Sequence, residues 1–98
     1  MKDSEFSFAQ PRLQVTRAEV EEWIIRYVSE LRGIRADRIS RTIPLTKYGV
    51  DSASAVAMSG DLMDWLGCDI DPTLMYEHPT IERAAIRIAL LANGADHE

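Results

Sequence analysis

An all-α bundle is the fold this sequence predicts: a small four-helix bundle with three major helices, one short helix and a long loop between the first and second. Three observations lead there. Apolar residues recur at spacings of three and four in three separate stretches. Each stretch is bounded by capping residues and by glycine or proline. No segment alternates apolar and polar residues as a half-buried strand would, and no internal repeat is present. Such a bundle leaves little room for an enclosed pocket.

The first helix is expected over Arg17–Arg32. Thr16 and Glu19 have capping-box spacing, in which the threonine hydroxyl caps a free N–H and the glutamate reaches back. Val20, Trp23, Ile24, Tyr27, Val28 and Leu31 then form one apolar stripe. Gly33 stands where a left-handed C-terminal residue belongs. Residues 33–50 read as a long connection, because Pro44 cannot sit in a helix interior. Ile34, Ile39, Ile43, Leu45, Tyr48 and Val50 are expected to pin it across the bundle, with Arg35, Arg38, Arg41 and Lys47 outside. A loop of that length is uncommon without a role.

The second helix is expected to start at Asp51–Ser52, with Gly49 taking the turn and Asp51 as N-cap. Ala55, Val56, Ser59, Leu62, Met63 and Leu66 define its inner face; Met58, Asp61, Asp64 and Trp65 fall elsewhere. Gly67 ends it. Pro72 and Thr73 open a single turn through Tyr76. Pro79 and Thr80 then start the last helix, since proline fits a first turn. Its stripe is Ile81, Ala84, Ala85, Ile88, Leu91 and Ala92, whose small alanines permit close approach to a neighbour.

A chain of 98 residues is one domain. Residues 1–15, with isolated Phe6 and Phe8, read as a flexible leader, 16–92 as the folded unit and 93–98 as a tail. No apolar run approaches the roughly 20 residues that span a bilayer. Met1 to Gln10 lack the basic start and apolar stretch of a secretory signal. The expectation is a cytoplasmic monomer with no membrane partner. Cys68 is the only cysteine, which rules out an intramolecular disulfide and a cysteine zinc site, and it reads as a small, partly buried apolar side chain. The net charge of −5 is uneven: residues 1–50 hold nine basic and seven acidic residues, residues 51–98 two and nine. An acidic half argues against a nucleic-acid partner and suits a partner with a basic docking patch.

The segment Tyr48-Gly49-Val50-Asp51-Ser52 is the one that points to chemistry. It sets a serine hydroxyl at the start of a helix, where free N–H groups and partial positive charge would favour a phosphate ester. Alone, an Asp-Ser pair there would simply cap the helix. His78 is a poor partner for a triad with Asp51 and Ser52, because it lies in the link before the last helix. Asp61, Asp64, Asp69 and Asp71 lack the spacing of a calcium loop, so no metal and no catalytic residue is expected.

In its wider context, Gly49-Val50-Asp51-Ser52 resembles the Gly-x-Asp-Ser signature of acyl carrier proteins. Ala55-Val56 resembles that family's apolar face after the signature. Leu66-Gly67 with Ile70, Pro72 and Thr73 looks like its exit from the second helix. Tyr76-Glu77-His78-Pro79-Thr80-Ile81 is similar to a segment of polyketide synthase carrier domains. The resemblance covers about Val20 to Leu91, making 16–92 an acyl carrier domain and implying a bundle of acyl-carrier type. It implies a 4'-phosphopantetheine arm on Ser52, transferred from coenzyme A by a phosphopantetheinyl transferase, with Asp51 and Gly49 completing the attachment site. Other implied partners are an acyl-loading enzyme (an acyl-AMP ligase or acyltransferase) and a ketosynthase or other pathway enzymes.

Two departures qualify this. Tyr48-Gly49 stands where peptidyl carriers usually show Gly-Gly, which leans the chain to acyl groups, and Ala53 replaces a common Leu. Ser52 to Val56 is similar to carriers loaded with fatty acyl groups by acyl-adenylate ligases. Ala57 and Met58 occupy an outer face that fatty acid synthase carriers make acidic. Docking is therefore expected at Ala53, Val56, Met58, Asp61 and Asp64, and Leu62, Val56 and Ile81 are expected to shelter part of an acyl chain. The alternatives are a peptidyl carrier of a nonribosomal peptide system and an unmodified helical interaction module.

Overall fold

Residues 14–94, which a computed structural model describes, form four α-helices and two 3-10 turns. The helices are α1 (Arg17–Arg32), α2 (Ser52–Leu66), α3 (Leu74–Glu77) and α4 (Ile81–Ala92), with 3-10 turns at Ala36–Arg38 and Leu45–Tyr48. The expected leader up to residue 13, with Phe6 and Phe8, and the tail from residue 95 lie outside the described residues.

The local signals at α1 are realised in atoms. Glu19 N–H donates to Thr16 Oγ1 at 3.1 Å, and Thr16 N–H to Glu19 Oε1 at 3.0 Å, closing the capping box. Gly33 takes φ +69° and donates to the Ser29 carbonyl at 2.9 Å. Val20, Ile24, Ile25 and Val28 are buried, whereas Leu31, expected in the stripe, is exposed. α1 makes its largest helix contact with α4, whose Ile81, Ala84, Ala85 and Ile88 are fully buried. Each large apolar side chain buried this way contributes about 1.5–3 kcal/mol over its exposed state.

The ends of α1 and α4 are tied together. Val15 N–H donates to Asn93 Oδ1 at 2.8 Å, and Asn93 Nδ2 donates to the Val15 carbonyl at 3.0 Å. Val15 itself is buried. The residues read as the last of the leader and the first of the tail are thus a clasp of the bundle.

α2 buries Ala55, Met58, Ser59 and Leu62, an i, i+3, i+4, i+7 set. This corrects the expected inner face: Met58 is fully buried and Val56 is 56% exposed. The Ser59 hydroxyl donates to the Val56 carbonyl at 2.8 Å, so its burial leaves no unsatisfied group. α4 also begins two residues later than expected, at Ile81 rather than Pro79. Thr80 is its N-cap, receiving the Arg83 N–H at 3.2 Å, and Pro79 precedes the cap.

The long connection pins itself by Ile39, Leu45 and Val50, all buried, while Ile43 stays exposed. Pro44 forms an isolated antiparallel bridge with Thr80, and Leu45 N–H donates to the Pro79 carbonyl at 2.8 Å. Arg41, expected to be simply solvated, is a tether. Its Nε donates to Glu21 Oε1 at 2.9 Å, its Nη2 to Glu22 Oε2 at 3.1 Å, and its carbonyl accepts from Glu82 N–H at 3.0 Å. Glu21 is buried, and Arg17 Nε lies 3.4 Å from its other oxygen without an aligned hydrogen bond. A carboxylate that deep is sustained by its cationic partners. Among the described residues no helix is long and apolar enough to cross a membrane.

Candidate functional site

The chain enters α2 through a tightly specified turn. The Leu45–Tyr48 turn closes on Gly49, whose φ of +84° disfavours any residue with a Cβ. The Arg32 side chain lies close over this glycine: a Cβ at Gly49 would stand 2.8 Å from Arg32 Nε and 3.0 Å from Arg32 Cζ, so the guanidinium would have to move aside. Val50 then turns inward, buried, with its N–H on the Leu45 carbonyl at 3.3 Å. Burying Val50 fixes the direction in which Asp51 and Ser52 leave the core.

Asp51 is the N-cap, with extended backbone and Oδ1 accepting the Ser54 N–H at 2.9 Å. That hydrogen bonding from Ser54 is the chief cause holding the Asp51 carboxyl below its usual range, and the charge of Arg32 adds to it. Ser52 is the first residue of α2 and is exposed. Its Oγ makes no hydrogen bond among the described residues. It therefore sits free at a helix tip whose first N–H groups lack intrahelical acceptors and carry partial positive charge.

No acid–base partner for Ser52 appears among the described residues. Asp51 is committed to Ser54, and His78 lines a groove of about 290 Å³ on α4 with Arg83, Ile86, Arg87 and Leu90. What the geometry offers is an accessible hydroxyl in a positive field, suited to carry an anionic ester. Gly49, Asp51 and Ser52 lie together at the entry to α2.

The expected docking residues divide. Ala53, Asp61 and Asp64 are exposed, and Val56 lies one turn beyond Ser52 on the same side of α2. Met58 is a correction: at 0% exposure it is core and offers nothing to a partner. The expected acyl shelter is not formed either. Leu62 and Ile81 are fully buried while Val56 faces solvent, so the three do not line one slot.

Several features are not anticipated by the sequence. Trp23 of α1 stacks on Trp65 of α2, with centroids 5.7 Å apart and planes 5° from parallel, and on Tyr27 at 5.2 Å. The Tyr27 phenol is pushed up by burial and then by the charge of Asp61. Arg32 lies over Gly49, twenty positions before Ser52. Only the aromatic pair carries a signal, because the chain's two tryptophans fall in α1 and α2. Cys68 is partly buried, and burial pushes its thiol up, with Asp69 adding to the effect, so it is a weak nucleophile. No group of three or more potential metal ligands exists among the described residues.

The family model described as "Phosphopantetheine attachment site" matches residues 22–88. A phenolphthiocerol/phthiocerol polyketide synthase polypeptide of Mycobacterium tuberculosis is 35% identical over 72 residues, 74% of this chain. The chain spans only 4% of that relative's length. A free-standing peptidyl carrier protein from Acinetobacter baumannii is 30% identical, with a TM-score of 0.70 over 74% of this chain and 91% of its own. The HMG-ACPI domain of the CurA module from Lyngbya majuscula, at 19% identity, shares the fold with a TM-score of 0.74 over 88% of this chain and 86% of its own. With the matched segment containing the whole turn from Gly49 to Ser52, the chain belongs to the phosphopantetheine-attachment family, as a carrier domain of polyketide synthase type whose prosthetic group is covalent 4'-phosphopantetheine.

Proposed function

We propose that this chain is an acyl carrier protein in which Ser52 holds the phosphopantetheine arm and presents acyl or polyketide intermediates to successive enzymes. One observation carries the reading: the Ser52 hydroxyl is exposed and unbonded at the tip of α2, directly after the capping Asp51. In loading, Ser52 Oγ forms an ester bond to the phosphorus that bears pantetheine. The pyrophosphate bond of coenzyme A breaks, adenosine bisphosphate leaves with the bonding electrons, and the hydroxyl proton passes to a base of the transferase. The bound arm supplies a terminal thiol that holds acyl groups as thioesters.

This chain's own residues supply position and recognition. Gly49 and Val50 set the approach, Asp51 fixes the helix start, and Ala53, Val56, Asp61 and Asp64 form the face that partners meet. Carrier domains of this family are generally non-catalytic. The partners are a phosphopantetheinyl transferase, an acyl-loading enzyme and a ketosynthase or other pathway enzymes, met in the cytoplasm. Their basic patches would be steered by the acidic half of the chain.

Incubation with coenzyme A and a broad-specificity transferase should raise the intact mass by about 340 Da, one phosphopantetheine group. Ser52→Ala should abolish the gain, and peptide mapping should place it on Ser52. Wild-type protein of unchanged mass, or a gain that survives Ser52→Ala, overturns the assignment.

A second reading, a peptidyl carrier, is favoured by the 30% identity to the Acinetobacter baumannii peptidyl carrier. Tyr48 in place of a second glycine weighs against it. Parallel loading of the holo protein by acyl- and aminoacyl-adenylating enzymes separates the two.

A further inference from the structure

We infer that Arg32 is the phosphate-binding residue of this carrier, its guanidinium receiving the phosphodiester that joins Ser52 to the arm. The inference rests on Ser52 being the attachment point. Arg32 is the last residue of α1, and the antiparallel run of α1 against α2 brings it to the start of α2. Its guanidinium lies directly over Gly49: a Cβ there would meet Nε at 2.8 Å, Cζ at 3.0 Å and Nη2 at 3.1 Å. Gly49 is three residues from Ser52, and with no side chain there the planar group rests close against the backbone.

Arg32 is also uncommitted. Arg17, Arg35 and Arg41 each hold a carboxylate, whereas Arg32 is exposed and makes no salt bridge or hydrogen bond among the described residues. Its field is felt by Asp51, whose carboxyl it helps to hold low.

Esterification creates the need for such a group. It places a new negative charge beside the Asp51 carboxylate, in the half of the chain with nine acidic residues and two basic ones. Asp51 already occupies the Ser54 N–H. Free N–H groups at the tip of α2 and the Arg32 fork remain to balance the phosphate. A guanidinium presents paired donors that match two phosphate oxygens, which an ammonium does not. Arg32 therefore steadies the first bonds of the arm on the Gly49 side of the helix tip. Lys47, exposed on the adjoining turn, is the natural control.

The test uses holo protein, with loading verified by intact mass in each variant. The ³¹P resonance of the phosphodiester should move in Arg32→Gln, move less in Arg32→Lys and stay in place in Lys47→Gln. In unsubstituted protein the Arg32 Nε–H signal should shift between apo and holo forms, and ~1 M salt should bring the wild-type ³¹P shift towards that of Arg32→Gln, because the pair is exposed. The rate of loading should fall about two- to fivefold in Arg32→Gln, the range of an exposed ion pair. An unchanged ³¹P shift in Arg32→Gln, together with an Arg32 Nε–H signal indifferent to loading, overturns the inference while leaving Ser52 intact. No mass gain in wild type overturns the Ser52 assignment itself, and Arg32 with it.

Discussion

Ser52 and Trp65 stand near opposite ends of one helix, and their surroundings differ in kind. Around Ser52 the side chains are small and wet: Ser52, Ala53 and Ala57 are exposed, and Val56 turns its methyls to solvent. Around Trp65 the side chains are large and engaged. Trp65 stacks on Trp23, Met63 and Leu66 pack against the core, and Gly67 closes the helix with its N–H on the Met63 carbonyl at 2.7 Å. Between them runs the buried stripe of Ala55, Met58, Ser59 and Leu62. A helix fixed along one side and at its far end can leave its first turn bare without fraying. On the proposed reading, modification and partner contact fall on the part of α2 that contributes least to the fold.

Met58 and Val56 should give the largest contrast in stability. Met58→Ala should lose about 2–5 kcal/mol, because a fully buried side chain leaves a cavity. At about 4–8 °C per kcal/mol for a domain of this size, calorimetry will register it clearly. Val56→Ala should stay within about 0.5 kcal/mol, as exposed substitutions do. Equal losses at the two positions would mean that α2 is rotated from the orientation described.

A smaller effect is expected at the far end. Trp65→Ala should cost about 0.5–1.5 kcal/mol beyond the burial it removes, by ending the stack on Trp23. Phosphopantetheine loading at Ser52 should proceed at the wild-type rate. A slowed loading step would show that the two ends are coupled.

The smallest effect belongs to the first turn. The Asp51 carboxyl is held low, so its contribution to stability is full above the unfolded carboxylate value of about 3.9 and is lost as pH falls through the lower folded value. Urea midpoints measured from pH 6 down to pH 3 should therefore fall less in Asp51→Asn than in wild type. Asparagine keeps the cap but does not titrate. Identical pH profiles would remove the Asp51 carboxylate from the account.

What is legible in the sequence is what is decided locally. Thr16 with Glu19, Gly33, Gly49, Asp51 and Gly67 each answer a demand of their own turn, and all are readable from spacing and residue type. Met58 and Val56 are not. They flank the same helical stripe on opposite sides, and which flank meets the core depends on where α1 and the long loop lie. Arg41 and Arg32 are opaque for the same reason. One is drawn in by the buried Glu21, twenty residues away, and the other reaches the site because two helices run antiparallel. The attachment turn is therefore visible as a string of residues, and the cation beside it is not.

The clasp between Val15 and Asn93 fixes the two ends of the bundle against each other. Both halves of the clasp sit at the foot of α1, and Ser52 rides at its head, about 24 Å away for a helix of 16 residues. The clasp therefore holds Val15 and Asn93 together at the end of the bundle remote from Ser52. On the proposed reading, a group carried on Ser52 departs from the pole opposite that clasp.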